Sequence, residues 1–138
     1  MSRVSPALRR RVRARAQGLC EYCRCAAELT GHDFTVDHIV PESLRGGSRF
    51  DNLCWCCFWC NTFKQARTQS VDPRSGKTFP LFNPRVDNWQ DHFRWSHDST
   101  RIIGRTPVGR ATLKALRLNR PALTKARRIW VRFDLHPP

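Results

Sequence analysis

Residues 34–64 read FTVDHIVPESLRGGSRFDNLCWCCFWCNTFK, and their reading decides the fold. Phe34-Thr35-Val36 is rich in β-forming side chains, and Ile39-Val40 continues the apolar run, which predicts a strand. Pro41 has no N–H to give to a ladder, so the strand should end near it. Gly46-Gly47 marks a loop, and Leu53 to Trp55 is a second short apolar run. A helix is predicted over 58–68, where Asn61 and Lys64 share a face. A hairpin followed by a helix would let Asp37 and Asn61 meet. Adjacent residues on a strand point to opposite faces, so Asp37 and His38 can hold different tasks at one site only if the strand ends or bends there.

Cysteine spacing ties this stretch to its upstream neighbour. Cys57-x2-Cys60 pairs with Cys20-x2-Cys23, and four thiolates complete a tetrahedral zinc site. An iron–sulfur cluster would use the same four ligands. The 33 residues between the pairs are too many for a simple zinc ribbon, and the inserted hairpin accounts for them. Cys25, Cys54 and Cys56 are left over and read as small buried hydrophobes, with a register that uses Cys54 or Cys56 as the zinc ligand as the alternative. Asp37 and Asn61 offer oxygen ligands of the kind that hard divalent cations such as Mg²⁺ take. His38 beside them can accept a proton near neutral pH. A water activated by His38, with a cation to stabilise the phosphate and the leaving oxygen, is a minimal apparatus for phosphodiester hydrolysis.

At these residues the chain resembles the HNH endonuclease family. The shared pattern reads C20-E-Y-C23, V36-D37-H38-I39-V40-P41, G46-G47, N52-L53, C57-F-W-C60-N61 and K64, within about residues 15–68. Tail phrases such as PLFNPR and GRAT resemble small stand-alone members of the family. The resemblance implies a small α+β fold: a ββα-metal (His-Me finger) core with a structural zinc knuckle, wrapped by additional α-helices. It implies His38 as general base and Asn52 as the residue that ties down the loop and helps orient it. Asp37 and Asn61 would be ligands of the catalytic ion, and Cys20, Cys23, Cys57 and Cys60 ligands of a structural zinc. The last His of the family name is Asn61 here. That loses an imidazole ligand and shifts the expected catalytic ion from Zn²⁺ or Ni²⁺ toward Mg²⁺ or Mn²⁺.

The 138 residues carry a net charge of +14, distributed unevenly. Residues 1–18 hold +6, residues 19–100 hold −1 and residues 101–138 hold +9. Of the 25 basic residues, 21 are Arg, whose fork matches phosphate geometry. Basic segments flanking a near-neutral centre are the footprint of a polyanion partner, most simply nucleic acid, and the family resemblance implies DNA. Candidate phosphate contacts are Lys64 and Arg67 behind the second CxxC, and Arg110, Lys114 and Arg117 at helical spacing. The alternative function is a non-catalytic, zinc-stabilised nucleic-acid-binding module, which would need only the four Cys and the basic flanks. No apolar run reaches membrane-span length and the N-terminus lacks a signal-peptide core, so a cytoplasmic location with no membrane partner is expected. Seven cysteines in such a compartment argue for metal binding over disulfides. One active site per chain cuts one strand, so double-strand cleavage would call for a homodimer or two successive events.

The chain reads as one domain over 1–138, made of a basic N-terminal helix (1–18), the zinc and ββα core (19–68) and a loop with a basic helical extension (69–138). Ser5, Pro6 and Gly18 frame a helix over 6–17 with Leu8, Val12 and Ala16 as its apolar stripe. Residues 69–88 read as loop, with a DPRSG turn and Leu81-Phe82 as an anchor on the core. Trp89, Phe93 and Trp95 read as core or lid, with base stacking as the alternative. A strand is expected over 100–103, a helix from Thr106-Pro107 to 118, and a last helix over 122–133 carrying Lys125, Arg127, Arg128 and Arg132. His32, His92, His97 and His136 read as structural or surface residues.

Overall fold

The computed structural model describes residues 4–138, and it is a small α+β arrangement with three two-stranded sheets. The chain divides into two compact units, one running to Thr68 together with Asn83–Val86, the other comprising Gln69–Phe82 and Asp87–Pro138. No helix among the described residues is long and apolar enough to cross a membrane.

The first unit opens with helix α1, Pro6–Arg15. The Ser5 hydroxyl accepts the Leu8 N–H at 3.1 Å, and Pro6 fills the first turn, where no N–H is needed. Val12 and Ala16 of the predicted stripe are buried. Its arginines are what fasten the helix. Arg9 donates to the Phe34 carbonyl at 2.6 Å and lies over the Trp55 ring, while Arg11 and Arg15 stack on Phe50. Arg15 also donates to the carbonyls of Phe50 and Leu53. A short helix α2, Ala27–Thr30, follows.

Strand β1, Thr35–His38, pairs antiparallel with β2, Leu53–Cys56, setting Asp37 opposite Cys54 and His38 opposite Leu53. Helix α3, Phe58–Lys64, follows directly. It stops short of the predicted 68 because Gln65 takes a non-helical backbone with positive φ (56°) and Arg67 donates to the carbonyls of Phe63 and Lys64.

The second unit departs most from the sequence reading. The stretch expected to be loop forms a hairpin, β3 (Gln69–Val71) with β4 (Thr78–Pro80). Asp72 closes its turn by accepting the Arg74 N–H at 3.0 Å and the Ser75 hydroxyl at 2.8 Å. Helix α4, Trp89–His92, leads into β5 (Phe93–Trp95), which pairs with β6 (Ile102–Gly104), the strand that was expected. Helix α5, Pro107–Ala115, is capped by Thr106, and α6 spans Pro121–Arg132. Gly109 must be glycine, since a Cβ there would come within 2.1 Å of the His92 carbonyl oxygen. Leu81, Phe82, Trp89, Phe93 and Trp130 are buried. Leu81 and Phe82 therefore anchor this unit's own core: the Phe82 N–H donates to the Thr112 hydroxyl at 2.8 Å, and its ring meets Phe93 edge-on. Trp89 and Phe93 are core residues, not stacking platforms. His92 and His136 are structural, bonded to the Thr106 hydroxyl (2.6 Å) and the Ser99 carbonyl (2.9 Å).

Candidate active site and metal centre

The four sulfurs of Cys20, Cys23, Cys57 and Cys60 lie within 4.8 Å of one another, and all four residues are buried. Cys23 Sγ and Cys57 Sγ are 3.8 Å apart. A tetrahedral zinc with Zn–S bonds of about 2.3 Å would set its sulfurs about 3.8 Å apart, so the cluster could hold such an ion. The two pairs arrive by different local routes. Cys20 and Cys23 sit in a tight turn closed by the Cys20 N–H on the Cys25 carbonyl (2.9 Å), with Arg24 at φ 66°. Cys57 caps α3 and accepts the Cys60 N–H at 3.4 Å. Hydrogen bonds from neighbouring thiols hold Cys23 and Cys57 below the ordinary thiol value, whereas burial pushes Cys20 above it.

The surplus cysteines are buried as expected, but they are not remote from the chemistry. Cys25 Sγ is 3.3 Å from Cys23 Sγ. Cys54 Sγ lies 3.6 Å from the Tyr22 hydroxyl and 3.9 Å from Asp37 Oδ2.

Asp37 sits on the buried face of β1, 8 % exposed. Its Oδ2 receives the Lys64 ammonium at 3.0 Å and the Tyr22 hydroxyl at 3.4 Å. Burial raises the Asp37 carboxyl above its ordinary value, and Lys64 opposes that. Among the described residues every hydrogen bond and ion pair of the group uses Oδ2. Among the described residues Oδ1 accepts none and is not sealed from solvent. Asn61, on the first turn of α3, is half-buried, and its side-chain amide is likewise without a hydrogen bond among the described residues. α3 packs on β1. Both side chains offer oxygens of the kind a hard cation takes, and neither oxygen is engaged among the described residues.

His38 lies on the opposite face of β1 from Asp37, as strand alternation requires. Its Nε2 is 2.8 Å from the Ser48 hydroxyl and 3.4 Å from Glu42 Oε1. Neither Ser48 nor Glu42 was singled out from the sequence; Ser48 directly follows the Gly46-Gly47 loop signal, which is the one pointer available. Asn52 makes three hydrogen bonds across the loop: it accepts the Val40 N–H (2.9 Å) and donates to the carbonyls of Val40 (3.0 Å) and Gly47 (2.8 Å). A Cβ on Gly46 would sit 1.7 Å from the Val40 carbonyl oxygen, so only glycine lets the loop close on Asn52.

The candidate phosphate contacts divide. Lys64 is 2 % exposed and bonded to Asp37 and to the carbonyls of His38 and Ile39, so as placed it faces no solvent. Arg110 is locked on the buried Asp72 through two bonds of 2.9 and 3.0 Å, because a carboxylate with no solvent contact needs a counter-charge. Arg67 is exposed but its guanidinium caps α3. Lys114 and Arg117 are exposed. Arg127 is fully buried against the carbonyls of Thr100 and Leu118 and the Asn119 side chain.

A family model described as HNH endonuclease matches residues 20–67, the segment that contains the thiol cluster, β1, β2 and α3. No curated protein and no solved structure gave a match.

Proposed function

With residues 20–67 an HNH endonuclease-family domain, we propose that this chain is a metal-dependent DNA endonuclease that hydrolyses phosphodiester bonds with a His38-activated water. The observation that carries the reading is the pair of vacant acceptors on one small hairpin-and-helix element. Nε2 of His38 lies 2.8 Å from the Ser48 hydroxyl and 3.4 Å from Glu42 Oε1, and in the tautomer that donates from Nε2 toward these oxygens Nδ1 keeps its lone pair. Nδ1 has no hydrogen bond among the described residues, which suits a general base awaiting a water. Removing the proton from that water at Nδ1 generates the nucleophile, and Ser48 and Glu42 steady the imidazolium that results.

In this reading β1, β2 and α3 are the ββα-metal core, and Asp37 and Asn61 hold a divalent ion, Mg²⁺ or Mn²⁺ by the chemistry of their oxygens. That ion would supply charge stabilisation at the phosphate and the departing oxygen. Lys64 holds Oδ2 of Asp37 so that Oδ1 is presented outward. Asn52 acts by holding the loop of residues 40–47 that carries Glu42; it is a positioning residue, and the four cysteines hold a structural zinc. Lys114 and Arg117 of the second unit, both exposed, would add sequence-independent attraction for DNA.

The test is plasmid cleavage by wild type and His38→Ala, with EDTA, Mg²⁺, Mn²⁺ or Zn²⁺ added. Cleavage by wild type alone, and only with a divalent ion, is the expected result. Equal cleavage by both proteins would remove His38 from its role. Binding without cleavage under every ion would favour the zinc-stabilised binding module instead.

A further inference from the structure

Six arginines lie in the first 18 residues, and the structure describes five of them: Arg9, Arg10, Arg11, Arg13 and Arg15. Three are engaged within the first unit. Arg9 bonds to the Phe34 carbonyl over Trp55, Arg15 bonds to two carbonyls, and Arg11 stacks on Phe50. Arg10 and Arg13 are different. Both are exposed, they stand one helical turn apart on the same face of α1, and neither has a hydrogen bond or ion pair among the described residues.

Both free guanidiniums face open space. A cavity of about 460 Å³ is lined by Arg10, Arg13, Gln17, Gly18 and Glu28, and a second of about 360 Å³ by Arg9, Arg10, Arg13, Asp33, Phe34 and Trp55. The shared lining joins them into one groove along the outer side of α1. Trp55 is among the residues lining the second cavity. Trp55 is 3 % exposed, and its indole N–H is buried with no acceptor. A sealed donor without a partner costs free energy, and such groups are rare unless a ligand or a water meets them.

We propose that this groove is a DNA-backbone site, in which Arg10 and Arg13 each contact a phosphate, with Arg9 and the Trp55 indole at its floor. The inference rests on the endonuclease reading for the identity of the polyanion and deepens it: it places the contacts on α1, and not on Lys64 or Arg110, whose charges are already neutralised inside the fold. Two free forks at one-turn spacing match successive phosphates, and Arg recognises such oxygens in pairs of bonds. Glu28 and Asp33 on the lining limit the site to a tracked backbone and disfavour a compact multiply charged anion.

The experiment compares binding of a DNA duplex by the full chain and its Arg10→Gln/Arg13→Gln form, without added divalent ion, from about 50 to 200 mM salt. Each phosphate contact adds about 0.9 to the slope of log affinity against log salt. The double variant should therefore lose about 1.8 from that slope, and about tenfold or more in affinity at the low-salt end. In the wild type the Trp55 indole N–H resonance should shift on adding duplex, and the shift should vanish in the double variant. Circular dichroism checks folding; neither side chain makes a hydrogen bond or ion pair among the described residues, so the fold should survive their replacement. An unchanged salt slope in a folded double variant would overturn the proposal even if the wild type cleaves DNA. An altered slope in a protein that never cleaves would uphold the groove and overturn the nuclease reading.

Discussion

Lys64 Nζ lies 3.0 Å from Asp37 Oδ2, with the two side chains 2 % and 9 % exposed, so a strand-end carboxylate and a helix-end ammonium form a buried pair at the heart of the candidate site. Breaking such a pair by removing one partner leaves an uncompensated charge, which costs about 3–5 kcal/mol. Lys64→Met should lower stability by about that amount in urea unfolding without added divalent ion. If Asp37 is a metal ligand, Mn²⁺ should restore more stability to Lys64→Met than to wild type, because the ion replaces the lost counter-charge. A loss below about 0.5 kcal/mol would mean the ammonium is not needed there.

Cys57→Ser should abolish zinc binding, and with it the hydrogen-exchange protection of α1, β1 and β2. Structural zinc contributes folding free energy directly, and the small unit has few other anchors. Cys25→Ser should keep one zinc per chain, since Cys25 approaches Cys23 (3.3 Å) but lies outside the four-sulfur cluster. Metal content by mass spectrometry distinguishes the two. A variant at Cys25 that loses its metal would move the ligand set.

Asn52→Ala removes three hydrogen bonds that close the loop from Val40 to Gly47. At about 1 kcal/mol each the loss should be on the order of 2–3 kcal/mol. Asn52→Asp keeps the acceptor for the Val40 N–H but loses both donors, so it should recover only part of the deficit. Equal stability of all three proteins would show that the loop closes without Asn52.

Two carboxyls in the second unit are held below their ordinary range. Hydrogen bonds from Arg110 depress Asp72, and those from Thr100 and Ser96 bring Asp98 to about 2. A depressed folded value means the carboxylate stabilises the fold above its unfolded value near 4, and that this contribution is lost as pH falls toward about 2. Urea midpoints should therefore drop between about pH 4 and pH 2. Asp72→Asn should be less stable at neutral pH and lose less on acidification. A pH profile parallel to that of the wild type would rule out Asp72 as a contributor.

Arg127→Ala should destabilise the second unit by about 3 kcal/mol, through the lost packing of a fully buried side chain and the carbonyls of Thr100 and Leu118 left without their donor. DNA affinity of the folded variant should not change, because this guanidinium meets no solvent. A selective loss of affinity at unchanged stability would contradict the burial.

Local chemistry was legible from the amino acids alone. Cysteine spacing, the Asp-His pair before a proline, the Gly-Gly loop and the Ser5 and Thr106 caps depend on neighbours within a few positions, and each lies where such local rules put it. The hairpin at 69–80 was missed because its strands are three residues long and its turn is held by an aspartate that looks, in sequence, like an ordinary loop residue. The larger gap concerns charge. The count of basic residues and its sign could be read directly, but not which of them are free. Lys64, Arg110 and Arg127 resemble Arg10 and Arg13 as letters, yet the first three are buried or paired and the last two are not. Asp72 and Arg110 stand 38 positions apart, and only the folded chain brings them to 2.9 Å. The sequence alone determined that this protein carries a clustered-thiol centre and an excess of cations; tertiary structure decided which cations remain for a partner, because a charge is neutralised by what lies beside it in space.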